Sequence, residues 1–408
     1  MRILSVTQTY APFLEFGGPP VKVRALAQGL VRNGNQATVL TADWGLRARA
    51  GSGVEGAAAA VQSPYGWTRE ERGVKAIYLP TWVHYRALSW NPAVKKFCNE
   101  RLADFDVAHI FGLYDLLGPT VARNCLKQNI PYVLEPIGMF VPIVRNLRLK
   151  RAYHAIYGRR MFQEASAIIA TSEQEAEELA GGGVKKEKIV LRRNGVETPA
   201  SWPERGVFRK VLGIAPNANL ILFLGRLSEK KSPELLLKAF GPLAGADSEK
   251  NLQLVFAGPD EGGMKARLEE KARQLGVTQR VRFAGAIFGE AKWAAYRDAD
   301  VFVLPSQNEN FGNAAAESVA AGTPVVVTEE CGIAPLLADV AGLVVRHNEE
   351  DLGRAIQRLL TDEGLYGRLS AGCGAVTARL GWEEPVHAME SLYNRLAIES
   401  AGSAKFGS

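Results

Sequence analysis

The stretch that decides the fold is residues 305–317, which read Pro305-Ser306-Gln307-Asn308-Glu309-Asn310-Phe311-Gly312-Asn313-Ala314-Ala315-Ala316-Glu317. The apolar run Val301–Pro305 predicts a buried strand and Ala314–Ala321 predicts a helix, so the polar residues between them form a strand-to-helix loop. Free backbone N–H groups at the start of a helix can hold a phosphate, and Gly312 lets the backbone approach a ligand closely. The stretch therefore predicts an anion-binding loop.

Two carboxylates accompany this loop. Glu309 lies within it and can accept hydrogen bonds from sugar hydroxyls, while Glu317 lies in the first turns of the helix, within reach of ribose hydroxyls. Two carboxylates at this distance could instead be a general acid and base, or charges on a solvated surface. The strand, the glycine, the helix and the following Ala321-Gly322-Thr323-Pro324-Val325-Val326 favour ligand binding.

The alternation of strands and helices extends outward from this stretch in both directions. The C-terminal half predicts strands at Leu220–Leu224, Leu252–Ala257, Val281–Ala284, Val301–Pro305, Pro324–Thr328 and Leu343–Val345. The N-terminal half predicts strands at Ile3–Thr7, Gln36–Thr41, Val74–Leu79, Val107–Ile110, Tyr132–Glu135 and Ala167–Ala170. Near-continuous apolar strands between helices are typical of a parallel sheet that is buried on both faces. Residues 46–72, rich in Gly, Ala and polar residues, predict a long mobile loop.

We therefore expect an α/β chain of two doubly wound, Rossmann-like domains that face each other across a cleft. The predicted boundaries are 1–195 for an N-terminal domain and 196–375 for a C-terminal domain. Residues 376–408 are expected to form a helical segment that packs back on the N-terminal domain, plus a tail. Ligands of such folds bind where the carboxyl ends of the strands meet the cleft.

Composition limits the class of protein. The 408 residues are 47% apolar and 23% charged, which is a globular balance. No apolar run reaches the ~20 residues that span a bilayer, and the N-terminus does not resemble a signal peptide. The four cysteines form no CxxC pair and lie at no zinc-ligand spacing, which favours reduced thiols in the cytoplasm.

Charge is distributed unevenly along the chain. The formal net charge is +6; residues 1–190 hold 24 Lys and Arg against 16 Asp and Glu, a balance of +8, and the remainder has a balance of −2. A basic N-terminal half indicates an anionic partner, for which nucleic acid, a membrane surface and a phosphorylated lipid are the candidates. The mixed apolar and basic segment Met139–Arg160 fits an anionic membrane or a pyrophosphate-linked acceptor, and equally fits a solvated helix face.

A second motif, Leu224-Gly225-Arg226-Leu227-Ser228-Glu229-Lys230-Lys231, also lies between a predicted strand and a predicted helix. Its cations can neutralise a diphosphate, and Gly225 allows the backbone to approach. A charged helix start is by itself more often a solvent-facing element. Beside the first motif, we interpret it as part of the same site.

These two motifs resemble the retaining glycosyltransferases of the GT-B fold, specifically glycosyltransferase family 4. Glu309 and Glu317 match the family's Glu-x7-Glu motif, in the context Ser306…Asn310-Phe311-Gly312…Gly322-Thr323-Pro324-Val325. The resemblance implies that Arg226 and Lys231 grip the diphosphate, with Lys230 as the alternative second cation. Ser232 departs from the pattern, because the family usually has Gly there.

The resemblance implies that 1–195 is the acceptor-side domain and 196–375 the donor-binding domain, and it extends to motifs of the N-terminal half. Gly17-Gly18 resembles the family's glycine loop, where donor and acceptor meet, although a Gly pair is usually only a turn. Glu135-Pro136-Ile137-Gly138-Met139 departs from the family, because Ile137 stands where many members have a His that contacts the donor sugar. His109 is expected to end its strand at the cleft as a structural or substrate-positioning residue. In the C-terminal half, Gly285-Ala286-Ile287 resembles the segment whose backbone contacts the base.

The function implied is transfer of a sugar from a nucleotide-diphosphate sugar, with UDP favoured and GDP as the alternative, to a glycan or lipid-linked acceptor in bacterial-type polysaccharide or glycolipid assembly. The expected enzyme is a retaining hexosyltransferase that needs no metal and no cofactor, located in the cytoplasm or on the inner face of the membrane. Nucleic acid is not the expected partner. The alternatives are a non-catalytic nucleotide-sugar-binding module, or a phosphorylase or epimerase on the same fold.

The residues predicted to carry this function fall into three groups. The catalytic residues are Arg226, Lys231 and Glu309. The substrate-binding residues are Gly17, Gly18, Arg226, Lys231, Ile287, Glu309, Asn310, Phe311, Gly312, Asn313 and Glu317. Three further candidates are His109, Gly138 and Lys230. No metal ligand is predicted, since the pair Asp104-Phe105-Asp106 simply leads into a strand.

Overall fold

The computed structural model describes residues 1–13, 17–44, 46, 60–85, 88–142, 146–246 and 252–405. The chain divides into two compact units, an N-terminal unit of residues 1–195 with 382–408 and a C-terminal unit of residues 196–381. Each unit contains a mainly parallel sheet flanked by helices. The predicted α/β class with two parallel-sheet domains is confirmed.

The N-terminal unit contains most of the strands. In chain order its elements are β1 (Arg2–Thr7), α1 (Gly18–Arg32), β2 (Gln36–Ala42), β3 (Val61–Ser63), β4 (Gly66–Glu71), β5 (Val74–Leu79), β6 (Val83–Tyr85), β7 (Leu88–Trp90), α2 (Ala93–Arg101), β8 (Val107–Phe111), α3 (Leu117–Lys127), β9 (Tyr132–Glu135), α4 (Leu147–Tyr153), α5 (Arg159–Glu164), β10 (Ala167–Ala170), α6 (Glu173–Gly181) and β11 (Ile189–Leu191). Short 3-10 turns cover Leu102–Asp104 and Lys186–Lys188, and a π-helical turn, His154–Gly158, joins α4 to α5.

The main sheet of this unit has the order β11-β10-β9-β8-β1-β2-β5-β4-β3. From β11 to β5 all neighbours are parallel. The chain starts at β1 in the middle and builds outward on both sides, so helices must cover both faces and the central strands are buried along most of their length. The separate β6–β7 hairpin is antiparallel.

The prediction of a loop over residues 46–72 is wrong for its second part. Val61–Ser63 and Gly66–Glu71 are antiparallel strands that extend the sheet beyond β5. The physical reason is aromatic packing, since Trp67 lies opposite the buried Tyr78 and Tyr65 is itself buried. Polar side chains suit β4 because it lies near the sheet edge and is only partly buried. Residues 47–59 of the predicted loop lie outside the described residues.

The last helix of the chain belongs to the N-terminal unit, although 186 residues of the other unit precede it. Apolar residues recur along it every three or four positions and join the core beneath α1 and the sheet; they are Trp382, Val386, Met389, Leu392, Tyr393 and Leu396. This spacing places them on one face of a helix. Gly29 on α1 accommodates the contact, since a Cβ there would lie 2.4 Å from Val386 Cγ2.

The C-terminal unit is more regular. Its elements are α7 (Val207–Val211), β12 (Leu220–Leu224), α8 (Pro233–Ala246), β13 (Gln253–Ala257), α9 (Met264–Gln274), β14 (Val281–Gly285), α10 (Gly289–Asp298), β15 (Val301–Leu304), α11 (Asn313–Ala320), β16 (Val325–Thr328), α12 (Ala334–Leu337), β17 (Gly342–Val345), α13 (Glu349–Thr361) and α14 (Glu363–Thr377), and the helix that returns to the N-terminal unit is α15 (Glu383–Lys405). All neighbours in the order β14-β13-β12-β15-β16-β17 are parallel.

This strand order creates a switch point. The chain builds from β12 to β14 in one direction, then returns to place β15 on the other side of β12. The helices that follow β12 and β15, α8 and α11, therefore pack on opposite faces of the sheet, and the two loops before them border a crevice, which is where doubly wound sheets bind ligands. The two motifs quoted above follow these two strands.

Candidate functional site

The loops after β12 and β15 meet through an ion pair. Lys231 Nζ donates to Glu309 Oε2, and the backbone N–H of Gln307 donates to the carbonyl of Lys230 over 3.0 Å. The side chains of Lys231 and Glu309 are 18% and 17% exposed, so a ligand can still reach them. Two residues separated by 78 positions in the chain are thus brought together at the switch point.

Glu309 is fixed by its backbone as well as by its carboxylate. Its N–H donates to the carbonyl of Glu330 and its carbonyl accepts from Gly332 N, both over 2.9 Å. Burial alone would raise the pKa of Glu309, but Lys231, and behind it Lys230 and Arg226, outweigh burial and lower it. Glu309 is therefore a carboxylate at neutral pH, held in one place.

Ser232 explains why a glycine is usual at its position. The residue has a φ of 49°, the left-handed region that favours Gly. Its buried hydroxyl lies 2.9 Å from His347 Nε2, at the loop after β17. Sequence reasoning missed His347, because it is 115 residues away and carries no motif.

Arg226 is placed differently from Lys231. Its side chain is 62% exposed and its Nη1 lies 3.5 Å from Glu261 Oε2. The loop that carries it packs against Gly258, where a Cβ would lie 1.9 Å from the carbonyl oxygen of Gly225. Gly258 N donates to the carbonyl of Gly285 over 2.7 Å, so the loops after β12, β13 and β14 form one connected edge. Ile287 follows that edge and is partly buried.

Gly312 begins α11. Its φ is 104°, and a Cβ there would lie 2.9 Å from Ile333 Cγ2, so both conformation and space require glycine. Phe311 before it is only 2% exposed and belongs to the core, so it can offer a ligand its backbone but not its ring. Asn310 and Asn313 on either side are partly exposed.

Glu317 is held by two residues that sequence reasoning missed. Lys292 Nζ donates to its Oε1 over 2.7 Å, and Tyr296 Oη donates to its Oε2 over 3.0 Å. Both partners lie on α10. Their spacing of four residues places them on one helix face, which is the signal that could have identified them.

The predicted glycines of the N-terminal unit lie in two unusual turns. Gly17 precedes α1 with a φ of 102°, and Gly18 is the first residue of that helix. Ile137 and Gly138 after β9 have φ values of 55° and 65°. The N–H of Gly138 donates to Glu175 Oε1 over 2.7 Å. Positive φ is strained for a β-branched residue such as Ile137, and the hydrogen bond to Glu175 helps to hold the turn.

The prediction that His109 ends its strand is wrong. It is the middle residue of β8 and fully buried, with its ring stacked on Phe111 at 3.9 Å and its Nδ1 2.6 Å from Tyr393 Oη. Burial lowers the pKa of His109 to about 3, so it is neutral at physiological pH. His109 is therefore a core histidine in this structure, out of reach of a substrate.

A buried ionic cluster surrounds this histidine. Glu135 accepts from Lys22 Nζ over 2.6 Å and from Arg192, and none of the three side chains is more than 3% exposed. Burial alone would raise the pKa of Glu135, but Arg192 and Lys22 lower it to about 2. The cluster joins α1, β9 and the segment after β11. We assign it a structural role, because a ligand cannot reach it.

The described residues contain neither a metal-ligand cluster nor a helix suited to span a membrane. No group of three or more His, Cys, Asp and Glu in that part of the chain has an arrangement that could hold a metal ion. No described helix is both long enough and apolar enough to cross a membrane.

Comparison with known families gives one match for each half of the chain. The family model of the glycosyl transferases group 1 matches residues 204–372, and that of the glycosyl transferase 4-like domain matches residues 17–195. The motifs around Arg226, Lys231, Glu309 and Glu317 lie within the first match, and Gly17, Gly18, His109 and Gly138 lie within the second.

Two curated relatives illustrate the range of similarity. An uncharacterized glycosyltransferase of Methanocaldococcus jannaschii is 28% identical over 379 residues, which is 89% of this chain and 90% of the relative. A D-inositol 3-phosphate glycosyltransferase of Streptomyces bingchenggensis is 35% identical over 56% of this chain. That match spans 52% of the Streptomyces protein, about half its length.

Solved structures share the whole fold at low sequence identity. The sucrose-phosphate synthase of Thermosynechococcus elongatus superimposes with a TM-score of 0.75 at 21% identity, covering 97% of this chain and 98% of that protein. HepE of Anabaena, solved in complex with UDP and glucose, gives a TM-score of 0.70 at 17% identity over 99% and 100% of the two chains. The chain belongs to the group 1 glycosyl transferases of the GT-B fold, with a glycosyl transferase 4-like domain in its N-terminal half.

Proposed function

We propose that this glycosyltransferase moves a sugar from a nucleotide-diphosphate sugar to a glycan or lipid-linked acceptor, with retention at the anomeric carbon and without a metal ion. A UDP-sugar is the favoured donor and a GDP-sugar the alternative. HepE of Anabaena has been solved with UDP and with UDP-glucose, which supports the nucleotide class only by shared fold.

The observation that carries the proposal is the Lys231–Glu309 pair at the switch point of the C-terminal unit. An ammonium group has three N–H donors. Lys231 can therefore keep its contact with Glu309 while it donates to an oxygen of a diphosphate. Glu309 in turn has acceptor sites left for sugar hydroxyls. One ion pair thus connects the predicted phosphate site to the predicted sugar site.

Charge stabilisation is the chemistry that this arrangement supports. When the bond between the sugar and the diphosphate breaks, negative charge develops on the leaving phosphate. Lys231, Arg226 and the N–H groups at the start of α11 are fixed donors that would stabilise this charge. The leaving phosphate would then accept the proton of the acceptor hydroxyl, so the mechanism needs no separate protein base. The substrate-binding roles of Gly17, Gly18 and Gly138 stay predictions.

The experiment that tests donor binding is a thermal-shift screen of UDP-, GDP- and ADP-sugars against the full chain. A ligand that binds only the folded protein raises its melting temperature. We expect one donor class to do so, and Glu317→Ala to reduce that shift. If none of the donors shifts the wild-type protein, or if Glu317→Ala binds as tightly as wild type, the assigned site is wrong.

Turnover of the donor found in this screen tests the remaining claims. Retention predicts a product with the same anomeric configuration as the donor, which NMR of the product reports. Metal independence predicts that EDTA leaves the rate unchanged. An inverted product or a loss of rate that Mg²⁺ restores would contradict the corresponding claim.

An anionic membrane is the proposed surface partner of the N-terminal unit. From α4 to the start of α5, exposed apolar and basic side chains alternate without an acidic residue; they are Leu147, Arg148, Leu149, Arg151, Ile156, Tyr157, Arg159 and Arg160. Leu149 and Ile156 are 61% and 66% exposed. This combination suits an interface of apolar lipid and anionic head groups.

Liposome flotation tests the membrane proposal. At low salt we expect the protein to float with vesicles that contain phosphatidylglycerol and to stay behind with neutral vesicles. The paired variant Leu149→Ser with Ile156→Ser should weaken flotation, whereas Val61→Ser, at another exposed apolar position of the same unit, should not. Absence of binding to anionic vesicles at low salt would reject the proposal.

A further inference from the structure

The carboxylate of Glu317 already has one fixed donor on each oxygen. Lys292 Nζ lies 2.7 Å from Oε1 and Tyr296 Oη lies 3.0 Å from Oε2. The side chains of Lys292 and Glu317 are 21% and 19% exposed, so the pair lies at the surface of the C-terminal unit and solvent reaches it. The second motif glutamate is therefore oriented before any ligand arrives.

Both donors are themselves held in place. Tyr296 is fully buried; burial, and secondly the charge of Glu317, raise the pKa of its phenol well above the usual value, so it stays a donor. Lys292 Nζ lies 4.9 Å from the ring centre of Trp293, a cation–π contact that restricts the lysine. Trp293 is only 6% exposed and does not move freely.

The carboxylate of Glu317 keeps acceptor sites that its two donors do not use. A carboxylate has about four lone-pair sites, and Lys292 and Tyr296 use one on each oxygen. One site on each oxygen is left, on a group whose orientation is fixed. Two acceptor sites at this spacing suit two adjacent hydroxyl groups, such as those of a ribose ring.

We propose that Lys292 and Tyr296 are positioning residues that hold Glu317 as a preorganised acceptor for both ribose hydroxyls, so that the site selects ribonucleoside diphosphates over forms that lack these hydroxyls. The inference rests on the proposed function, because it assigns the nucleotide to the Glu317 loop. Neither residue needs to touch the reacting sugar. Fixing the carboxylate removes the entropy cost of ordering it on binding.

The test is calorimetric titration of the full chain with UDP, GDP and their 2′,3′-dideoxy counterparts. Wild type should bind the ribonucleotide about tenfold or more tightly than the dideoxy form, since hydrogen bonds to a charged group are lost. Lys292→Met should lose most of that ratio by weakening ribonucleotide binding alone. Its affinity for the dideoxy form should stay within about twofold of wild type, because that ligand makes no use of the oriented carboxylate.

Three further variants separate positioning from other effects. Lys292→Arg keeps a cation that reaches Glu317 and should restore the ratio. Tyr296→Phe removes only the hydroxyl, and should lower the ratio even if Lys292→Met does not fold. Lys238→Met removes an exposed lysine on α8 and should leave every affinity unchanged.

Each alternative has its own result. Tighter UDP binding by Lys292→Met would mean that the lysine competes with ribose. Equal losses of affinity for the ribose and dideoxy forms would mean a general structural or electrostatic effect. Either result overturns the inference. Wild type that binds nucleotides with no preference for ribose also overturns it, but leaves donor binding intact. Failure of wild type to bind any nucleotide overturns the proposed function and the inference with it.

Discussion

Two groups of ion pairs in this protein are built from the same types of residue but are buried to different extents. In the N-terminal unit, Glu135 lies between Lys22 and Arg192 with almost no exposed surface. In the C-terminal unit, Glu309 pairs with Lys231, and each side chain keeps about a sixth of its surface exposed. Glu135 is the last residue of the parallel strand β9 and Glu309 lies in the loop after β15, and in both the neighbouring cations lower the pKa of the carboxylate.

The extent of burial determines whether a ligand can reach a charged side chain. A fully buried pair has already lost its water, and removing one of its partners leaves an uncompensated buried charge that destabilises the fold. A pair at the end of a loop at the switch point keeps enough access for a ligand to share its donors and acceptors. The structural cluster differs from the candidate site in the burial of its side chains and in its position in the sheet, and not in charge or in the direction of the pKa shift.

The largest effect should come from breaking the buried cluster. Glu135→Leu leaves Lys22 and Arg192 buried without their counter-charge, which typically costs about 3–5 kcal/mol of folding stability. Hydrogen exchange of the full chain in urea should show the loss in peptides of the N-terminal unit. Glu173→Gln, which removes an exposed ion pair with Arg193 in the same unit, is the matched control and should change little. Equal stability of the two variants would contradict the contrast.

The complementary change in the C-terminal unit should affect activity instead. Lys231→Met removes a fixed cation from the leaving phosphate and should reduce turnover of the identified donor about 10²–10³-fold. Its melting temperature should fall less than that of Glu135→Leu, since the pair keeps part of its surface exposed and Lys230 and Arg226 remain near Glu309. Lys230→Met tests the alternative second cation, and Lys238→Met controls for charge. A greater loss for Lys230→Met would exchange the roles of the two lysines.

The pH dependence should separate the units as well. His109 has a folded-state pKa of about 3 against an ordinary 6.5, so the unfolded chain takes up its proton first as pH falls. The stability that this histidine contributes to the N-terminal unit is complete well above pH 6.5 and declines as the pH falls, and by pH 4.5 the loss is about 3 kcal/mol. Glu135, lowered from 4.5 to about 2, adds to the loss only below pH 4.5.

His109→Gln checks this assignment. Glutamine keeps a polar group for Tyr393 but does not titrate. Urea midpoints followed by hydrogen exchange of the N-terminal unit should therefore change less between pH 6.5 and 4.5 in the variant than in wild type. A variant with the full wild-type pH dependence would show that another group causes it.

The smallest effect should come from an exposed pair of the same candidate site. Glu261→Gln removes the partner of Arg226, and both side chains are largely exposed. We expect less than about 0.5 kcal/mol of change in stability, and nucleotide affinity that is unchanged or slightly higher because Arg226 is released. Calorimetric titration with UDP measures this. A strong loss of affinity would show that Glu261 itself orients Arg226.

Much of the fold could be predicted because the strands of a parallel sheet can be recognised from short apolar stretches of sequence. Apolar strands such as Leu220–Leu224 and Val325–Thr328 are buried along their whole length and appear in the structure with the predicted bounds or within one residue of them. The edge of the sheet in the N-terminal unit was harder to predict. Gly66–Glu71 is a partly buried strand whose polar residues resemble a loop, and only its pairing with β5 reveals it.

The candidate site divides in the same way. Glu309, Glu317, Arg226 and Lys231 lie in local motifs, which is why sequence alone could name them. Lys292 and His347 carry no motif, and their contacts with Glu317 and Ser232 exist only after the chain has folded. The unusual backbone of Ile137 also became apparent only in the structure, since the residue type does not reveal a positive φ.

The sequence by itself determined the α/β class and the strand-to-helix loops and named the motif residues predicted to face a nucleotide, because strand periodicity, helix starts and short motifs are local properties of the chain. Only the tertiary structure decided the strand order that joins Lys231 to Glu309, the contact of Val386 on α15 with Gly29 on α1, and the burial of Glu135 between Lys22 and Arg192. The physical reason is distance along the chain. Contacts between residues 78 or 113 positions apart depend on packing of whole elements, which no short stretch of sequence encodes.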